Sequence, residues 1–263
     1  MPTANQTKSA RTETADRKQK VMVFDIESAG VQGLKADRAI VVNFGWKWLG
    51  DKKVNVIKIS DSPGYGPKTC QDDRWIVREA SKIMGEAEAF IAHFGEGFDK
   101  PYMQAKFLQH GCDLVPDARL TDTCLITRKH LCLSSYSLAN LADFLEVDTR
   151  KMKKGRGWPD WWMGALRGDI KSIDDMAAYC AIDVQCLEEC FTKLKRIIPT
   201  RYLPINAAIG ETLWTCPACG GHRYQSRGNY WSEKGRWRRF QCMTAGCRRW
   251  SHSAIKDAKT PRV

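Results

Sequence analysis

The sequence predicts an α/β domain with a mixed sheet, followed by a small cysteine-rich unit. Three observations carry this expectation. Apolar runs of strand character come first in the chain, strands then alternate with helical stretches, and beyond residue 210 the composition turns rich in Cys, Gly and Arg.

Residues 21–27, VMVFDIE, form a short apolar run rich in valine and isoleucine and read as a buried strand. Residues 39–49 and 53–59 read as two further strands, with Gly50-Asp51 as the turn of a hairpin. Residues 62–68 are a loop, and 73–86 a helix leading into the short strand AFIAHF. A helix follows from Lys100 to Gln109, and LTDTCLI resembles a strand end. Ser134 or Ser135 is suited to cap a helix beginning near Tyr136. Two more helices fit DMAAYCAIDVQCLEECFTKL. The chain thus divides into a basic leader over 1–20, a main domain over 21–198, a linker over 199–210 and a tail over 211–263.

Of the 263 residues, 43% are hydrophobic and 10% aromatic, enough for a packed core. Lys and Arg outnumber Asp and Glu by 42 to 30, and the net charge of +12 suits a polyanion such as nucleic acid. A merely soluble basic protein would give the same balance. No run of 18 apolar residues occurs, so no membrane helix is expected. The leader carries Lys8, Arg11, Arg17, Lys18 and Lys20 without an apolar stretch, unlike a secretory signal. Of eleven cysteines, Cys70, Cys112, Cys124, Cys132, Cys180, Cys186 and Cys190 stand singly, several in apolar surroundings. Such cysteines are commonly buried small hydrophobes of a reducing compartment, which sets the expectation of a cytoplasmic protein.

Asp25 and Glu27 stand two apart in the first strand, so both point to one face. Two acids at the end of a buried strand are costly unless something positive lies between them. A divalent cation is the simplest solution, and hard oxygen ligands suit magnesium or manganese. A strand that has reached solvent is the plainer alternative. Next comes HFGEGFD over 93–99, ahead of a predicted helix. Its glycines allow close backbone approach, Phe98 is placed to pack or to stack on a base, and Asp99 lies near the helix start. An acid capping free amides explains Asp99 equally well. Finally, Tyr179 and Asp183 are four apart on a helix and share a face, one turn from each other.

In this order, D-x-E on a strand, F-D before a helix and a helical Y-x-x-x-D resemble the three exonuclease motifs of the DEDD superfamily, DnaQ-like nucleases with an RNase H-like fold. The tyrosine makes the third motif similar to that of the DEDDy branch, which includes RNase D and the proofreading domains of DNA polymerases. Asp122-Thr123 and Ser135-Tyr136-Ser137-Leu138 resemble the connection between the second and third motifs. The resemblance spans residues 21–196; one departure is His93, where many relatives have asparagine. It implies a 3′→5′ exonuclease whose Asp25, Glu27, Asp99 and Asp183 hold two Mg2+ or Mn2+ ions about 3.5–4 Å apart. One ion would lower the pKa of a bound water and the other would stabilise the departing 3′ oxygen. Tyr179, a poor base at neutral pH, would orient the attacking water. Nucleoside 5′-monophosphates would be released, with DNA the favoured substrate. His93 and Phe98 would contact the terminal base and sugar. A non-catalytic nucleic-acid adaptor and a structure-specific endonuclease are the alternatives on this fold. A proofreading role would need a replication or repair protein as partner.

Arg150, Lys151, Lys153, Lys154 and Arg156 precede Trp158, Trp161 and Trp162, a pairing of cations and rings that suits a single strand. Tryptophans this close read better as packing, leaving Lys153 and Lys154 to the nucleic-acid backbone.

In the tail, Cys216-Pro-Ala-Cys219-Gly-Gly has the form of a zinc knuckle, and Cys242 and Cys247 follow after 22 residues. The pattern resembles a zinc ribbon with HRYQSR and WRRFQC as strands, holding one structural Zn2+. So small a unit lacks an adequate core without a staple. A disulfide pair, or His222 or His252 as fourth ligand, are the rival readings. From Glu211 onward, eleven Lys and Arg face three Asp and Glu. Arg236, Arg238 and Arg239, with Arg223, Arg227, Arg248 and Arg249, interleave with five Tyr and Trp residues in the manner of a nucleic-acid surface. A ribbon used for protein contacts is the alternative.

Overall fold

Along β1 (Val21–Ala29), Met22, Phe24 and Ile26 alternate with Val21, Val23, Asp25 and Glu27, and the period of two divides the strand between two cores. β2 (Ile40–Trp48) runs antiparallel to it, and β3 (Asn55–Lys58) extends the hairpin to the sheet edge. On the other side lie β4 (Ala89–Ala92) and β5 (Arg119–Asp122), both parallel. The five-stranded mixed sheet has the order β3-β2-β1-β4-β5. The computed structural model describes residues 20–116, 118–149, 158–198, 216, 221, 223–232 and 235–252. The leader before residue 20, Lys153, Lys154, the 199–210 boundary, Cys219 and His222 lie outside the described residues, as do the side chains of Arg236, Arg238 and His252.

The first core gathers Met22, Phe24 and Ile26 with α1 (Arg74–Gly85) and α2 (Asp99–His110), and Phe24 meets Phe90 edge to face with centroids 5.6 Å apart. Each fully buried side chain of this size contributes about 1.5–3 kcal/mol. After β5 come α3 (Thr123–His130), α4 (Leu138–Leu145), α5 (Trp158–Leu166) and α6 (Ile170–Leu194). The second core gathers Val21 and Val23 with Ala89, Ile91, α4 and the C-terminal half of α6. Asp25 and Glu27 continue the same strand face as Val21 and Val23, so they are aimed at α6.

Two expectations are corrected here. The stretch 175–194 belongs to one helix, not two. It has no Gly or Pro, and an unbroken stripe from Ile173 through Met176, Tyr179, Asp183, Leu187 and Phe191 to Leu194 is buried. Asp169 caps its start by accepting from Ser172 N at 3.0 Å. The cap of α4 is Ser137, which accepts from Asn140 N at 3.3 Å; Ser135 instead offers its carbonyl to the Asn140 amide at 2.7 Å. Trp161 and Trp162 are half-buried against the first core, in agreement with the packing reading. Among the described residues no helix is long and apolar enough to cross a membrane.

The tail forms a second, antiparallel sheet of order β6-β7-β8, from Tyr224–Ser232, Gly235–Cys242 and Trp250–His252. The first two strands overlap the expected HRYQSR and WRRFQC but differ in their bounds, the first running on to Ser232 and the second starting at Gly235; the third, at three residues, is too short to carry a pattern. Cys216, Phe240 and Cys242 join the second core, so the tail packs on the main domain. Arg249 fastens the junction. Its guanidinium donates to the carbonyls of Lys195 at 3.2 Å, Arg196 at 2.5 Å and Ile198, just past the end of α6. Burial lowers its pKa, while Cys216 and Cys247 act in the opposite sense. This arginine therefore ties the tail to the end of α6, and does not belong to a free cationic surface.

Candidate active site

The face of β1 that turns toward α6 brings Asp25, Glu27 and Asp183 together: one carboxylate oxygen from each lies within 4.8 Å of the others. Glu27 and Asp183 are buried and Asp25 is half-buried. The approach depends on Gly45 of β2, which pairs with Asp25. A Cβ there would meet Cys180 Sγ at 2.6 Å. The β1–β2 register shifts between Glu27 and Ser28, and such a bulge re-aims side chains at the end of a pair. Cys180 Sγ donates to the Asp25 carbonyl at 3.6 Å. Its thiol is pushed up by burial and then by the charges of Asp25, Glu27 and Asp183.

Tyr179 is buried one turn before Asp183, its ring edge-on to Trp161 with centroids 6.5 Å apart. Asp99 stands at the start of α2, in its first turn and not at its cap, which is Phe98. It is outside the group of three, though the main-chain N–H of Ile26, between Asp25 and Glu27, is among the groups that favour its charged form. Burial, with the charge of Asp122 adding to it, pushes the Asp99 carboxyl up to about 7. Three clustered carboxylates and a fourth that resists ionisation form a donor set that a hard divalent cation fits, because its charge removes the cost of gathering them.

Asp122 has a role that the sequence does not disclose. Its buried carboxylate accepts from Phe94 N at 3.0 Å, Glu96 N at 2.9 Å and Leu125 N at 3.0 Å, capping α3 while holding the 93–99 loop. An acid ahead of a helix would have suggested the cap; nothing local points to the loop. His93 is fixed in the same framework, with Nδ1 2.9 Å from Thr123 Oγ1 and Nε2 2.9 Å from the Tyr136 carbonyl oxygen. Phe98 packs on the first core and lies against Tyr102, with ring centroids 5.3 Å apart. Both residues are thus engaged in positioning the loop. Phe94 on the same loop is 40% exposed, more than the half-buried Phe98.

In the tail, Cys216, Cys242 and Cys247 form a second cluster, each offering a sulfur within 4.8 Å of the other two. Cys216 Sγ and Cys247 Sγ are 3.7 Å apart, far beyond a disulfide bond of about 2.05 Å. Sulfurs bound tetrahedrally at about 2.3 Å from zinc stand about 3.8 Å from each other, so the thiols fit that ion. Cys216 N donates to Gly221 O at 2.8 Å, and Cys247 N donates to Thr244 O at 3.1 Å across a turn. Arg223, Arg227, Arg239 and Arg248 are exposed, and the Arg239 guanidinium lies 5.3 Å from the centre of the exposed Trp250 ring.

Among curated proteins none matches the chain. A solved structure, that of the family B DNA polymerase from the hyperthermophilic archaeon Pyrobaculum calidifontis, is similar to it with a TM-score of 0.49 and 18% sequence identity. The match covers 72% of this chain and 26% of the polymerase. The RNase_H superfamily profile matches residues 22–195, which include all five acidic and phenolic side chains of the site, and the chain belongs to that superfamily.

Proposed function

We propose that the protein is a metal-dependent 3′→5′ exonuclease that hydrolyses nucleic acid, with DNA favoured, to nucleoside 5′-monophosphates. The observation that carries this reading is the convergence of Asp25, Glu27 and Asp183 within 4.8 Å, with Tyr179 one turn from Asp183 on the same helix. Asp25, Glu27, Asp183 and Asp99 would hold two Mg2+ or Mn2+ ions, which supply an activated water and charge stabilisation at the leaving oxygen.

The chain's own residues set the geometry of the reaction. Tyr179, packed against Trp161, orients the attacking water through its hydroxyl. Asp99, at the start of α2, would join the other three acids as a carboxylate ligand when the cations are bound. Asp122 fixes the loop that carries Asp99, so that the fourth acid stands beside the other three.

The tail would hold one structural Zn2+ on Cys216, Cys242 and Cys247, with Cys219 as fourth ligand. Its exposed arginines, with Lys153 and Lys154 of the main domain, would keep the strand close to the acids and raise its local concentration.

The experiment is a time course on 5′-labelled single-stranded DNA and RNA with Mg2+, Mn2+ or EDTA. A metal-dependent ladder shortening from the 3′ end is expected, faster on DNA. Internal fragments would mark an endonuclease, and intact label with tight, salt-sensitive binding would mark an adaptor.

A further inference from the structure

The strand register sorts the side chains of the tail's sheet onto two faces. Phe240 and Cys242 of β7 are buried and join the second core. Tyr224, which pairs with Cys242, lies edge-on to Phe240 with centroids 5.4 Å apart. Arg239 and Gln241 alternate with these residues along β7 and so point the other way. Gln241 pairs with Trp250 of β8, and the Arg239 guanidinium lies over the Trp250 ring. Arg227 donates from Nε to Gln241 Oε1 at 3.2 Å, which puts it on the same outward face. Gln225 is the pairing partner of Gln241, and Arg223, two residues before it, continues that face. These three arginines are exposed, and Glu233 is the one acid between residues 212 and 256. One face of the sheet is thus given to the main domain, and the other is strongly cationic.

The way the cations are held decides what they can bind. A guanidinium above an indole is engaged through its charge, and its N–H donors remain for an anion. Arg227 spends its Nε–H on Gln241 and keeps its terminal amino groups. A base finds no seat in the same place. Among the described side chains the ring on this face is Trp250, and Arg239 already covers it. Guanidiniums held in this way, around a covered ring, match phosphate oxygens and not nucleobases.

We infer that the outward face of the tail's sheet, through Arg223, Arg227 and Arg239, binds the sugar–phosphate backbone of nucleic acid without stacking its bases. The choice of nucleic acid as the polyanion rests on the nuclease reading above. The face takes duplex and single strand alike, because both present phosphates and neither has to offer a base.

Binding is followed by fluorescence anisotropy in EDTA, where no hydrolysis interferes, with the full chain. The probes are a single-stranded oligonucleotide, its duplex and an abasic strand of the same length. The variants carry Arg223→Gln, Arg227→Gln and Arg239→Gln together, or lysine at the same three positions. Wild type is expected to bind the abasic strand within about twofold of the normal one, whereas lost stacking would cost tenfold or more. The glutamine variant should bind all three probes at least about tenfold more weakly, and its slope of log affinity against log salt should be smaller by about 2–3. The lysine variant keeps the charges and should keep the slope. If the triple glutamine variant does not fold, Arg223→Gln alone decides, with a slope smaller by about 1 expected. An unchanged slope in the glutamine variants, or a tenfold weaker abasic complex of wild type, would overturn the inference. Tighter binding to phosphatidylserine vesicles than to either DNA probe would overturn it as well. The nuclease reading is judged separately in Mn2+: hydrolysis with an unchanged slope removes only the face, and a reduced slope without hydrolysis by wild type removes only the nuclease.

Discussion

A Cβ on Gly45 would lie 2.6 Å from Cys180 Sγ and 3.3 Å from a Val184 methyl, so these two side chains of α6 rest directly on the backbone of β2. The contact occurs beside Asp25, and it sets the distance from Asp183 to Asp25 and Glu27. Asn43 and Lys47 secure the same pair of elements. Asn43 Nδ2 donates to the Ile173 carbonyl at 3.3 Å, and the buried Lys47 ammonium donates to Gln185 at 2.7 Å and pairs with Glu188.

Gly45→Ala should therefore injure activity more than stability. Overpacking of this kind costs about 1–3 kcal/mol, read by denaturant unfolding. Displacing Asp183 by even a fraction of a helix diameter should lower kcat about a hundredfold. Wild-type kcat in the variant would show that the close approach is not needed.

The Asp99 carboxyl is held at about 7 by burial, with Asp122 adding to it. An unfolded aspartate ionises near about 3.9. The metal-free protein is thus unaffected by this group below about pH 4, loses stability as the pH rises toward 7, and carries the whole loss above that. Asp99→Asn should melt higher than wild type in EDTA at pH 8, the gain shrinking as the pH falls toward 4. It should also lose hydrolysis in Mg2+. Equal melting temperatures at pH 8 would contradict the burial argument.

Removal of Asp122 should unfasten the 93–99 loop and uncap α3 together. Asp122→Ala leaves the amides of Phe94, Glu96 and Leu125 without their acceptor, and a loss of about 3 kcal/mol is expected in urea unfolding. Faster amide hydrogen exchange at Phe94 and Glu96 would accompany it. Unaltered exchange there would refute the positioning role.

For the tail, metal analysis of the purified protein should find one zinc per chain, lost in Cys242→Ser. Arg249→Ala should lower the melting temperature of the whole protein even with zinc bound, because the carbonyls of Lys195, Arg196 and Ile198 lose their donor. Absence of zinc together with a loss of free thiols would favour disulfides instead.

Asp25 with Glu27, and Tyr179 with Asp183, were legible in the sequence because each pair lies within one strand or one helix, where local periodicity fixes a shared face. The strands β1 and β2 were legible for the same reason. What stayed hidden depends on contacts between distant segments. Gly45 reads as an ordinary strand glycine until Cys180 is brought against it. Asp122 accepts from residues 28 and 26 positions earlier, and the partners of His93 lie 30 and 43 positions later. Arg249 looks like one more cation of a basic tail, and only the packing of that tail on α6 gives it carbonyls to hold.

The most direct measurement is the single-turnover hydrolysis of a 5′-labelled strand in Mn2+ by wild type and by Asp183→Asn, both shown to be folded and to bind the strand. Asp183 belongs to the cluster yet comes from the helix, so its removal takes one carboxylate from the cluster and leaves β1 intact. A fall of at least about a thousandfold, with binding retained, is the predicted result. A rate within tenfold of wild type would contradict the claim that Asp25, Glu27 and Asp183 form the catalytic centre.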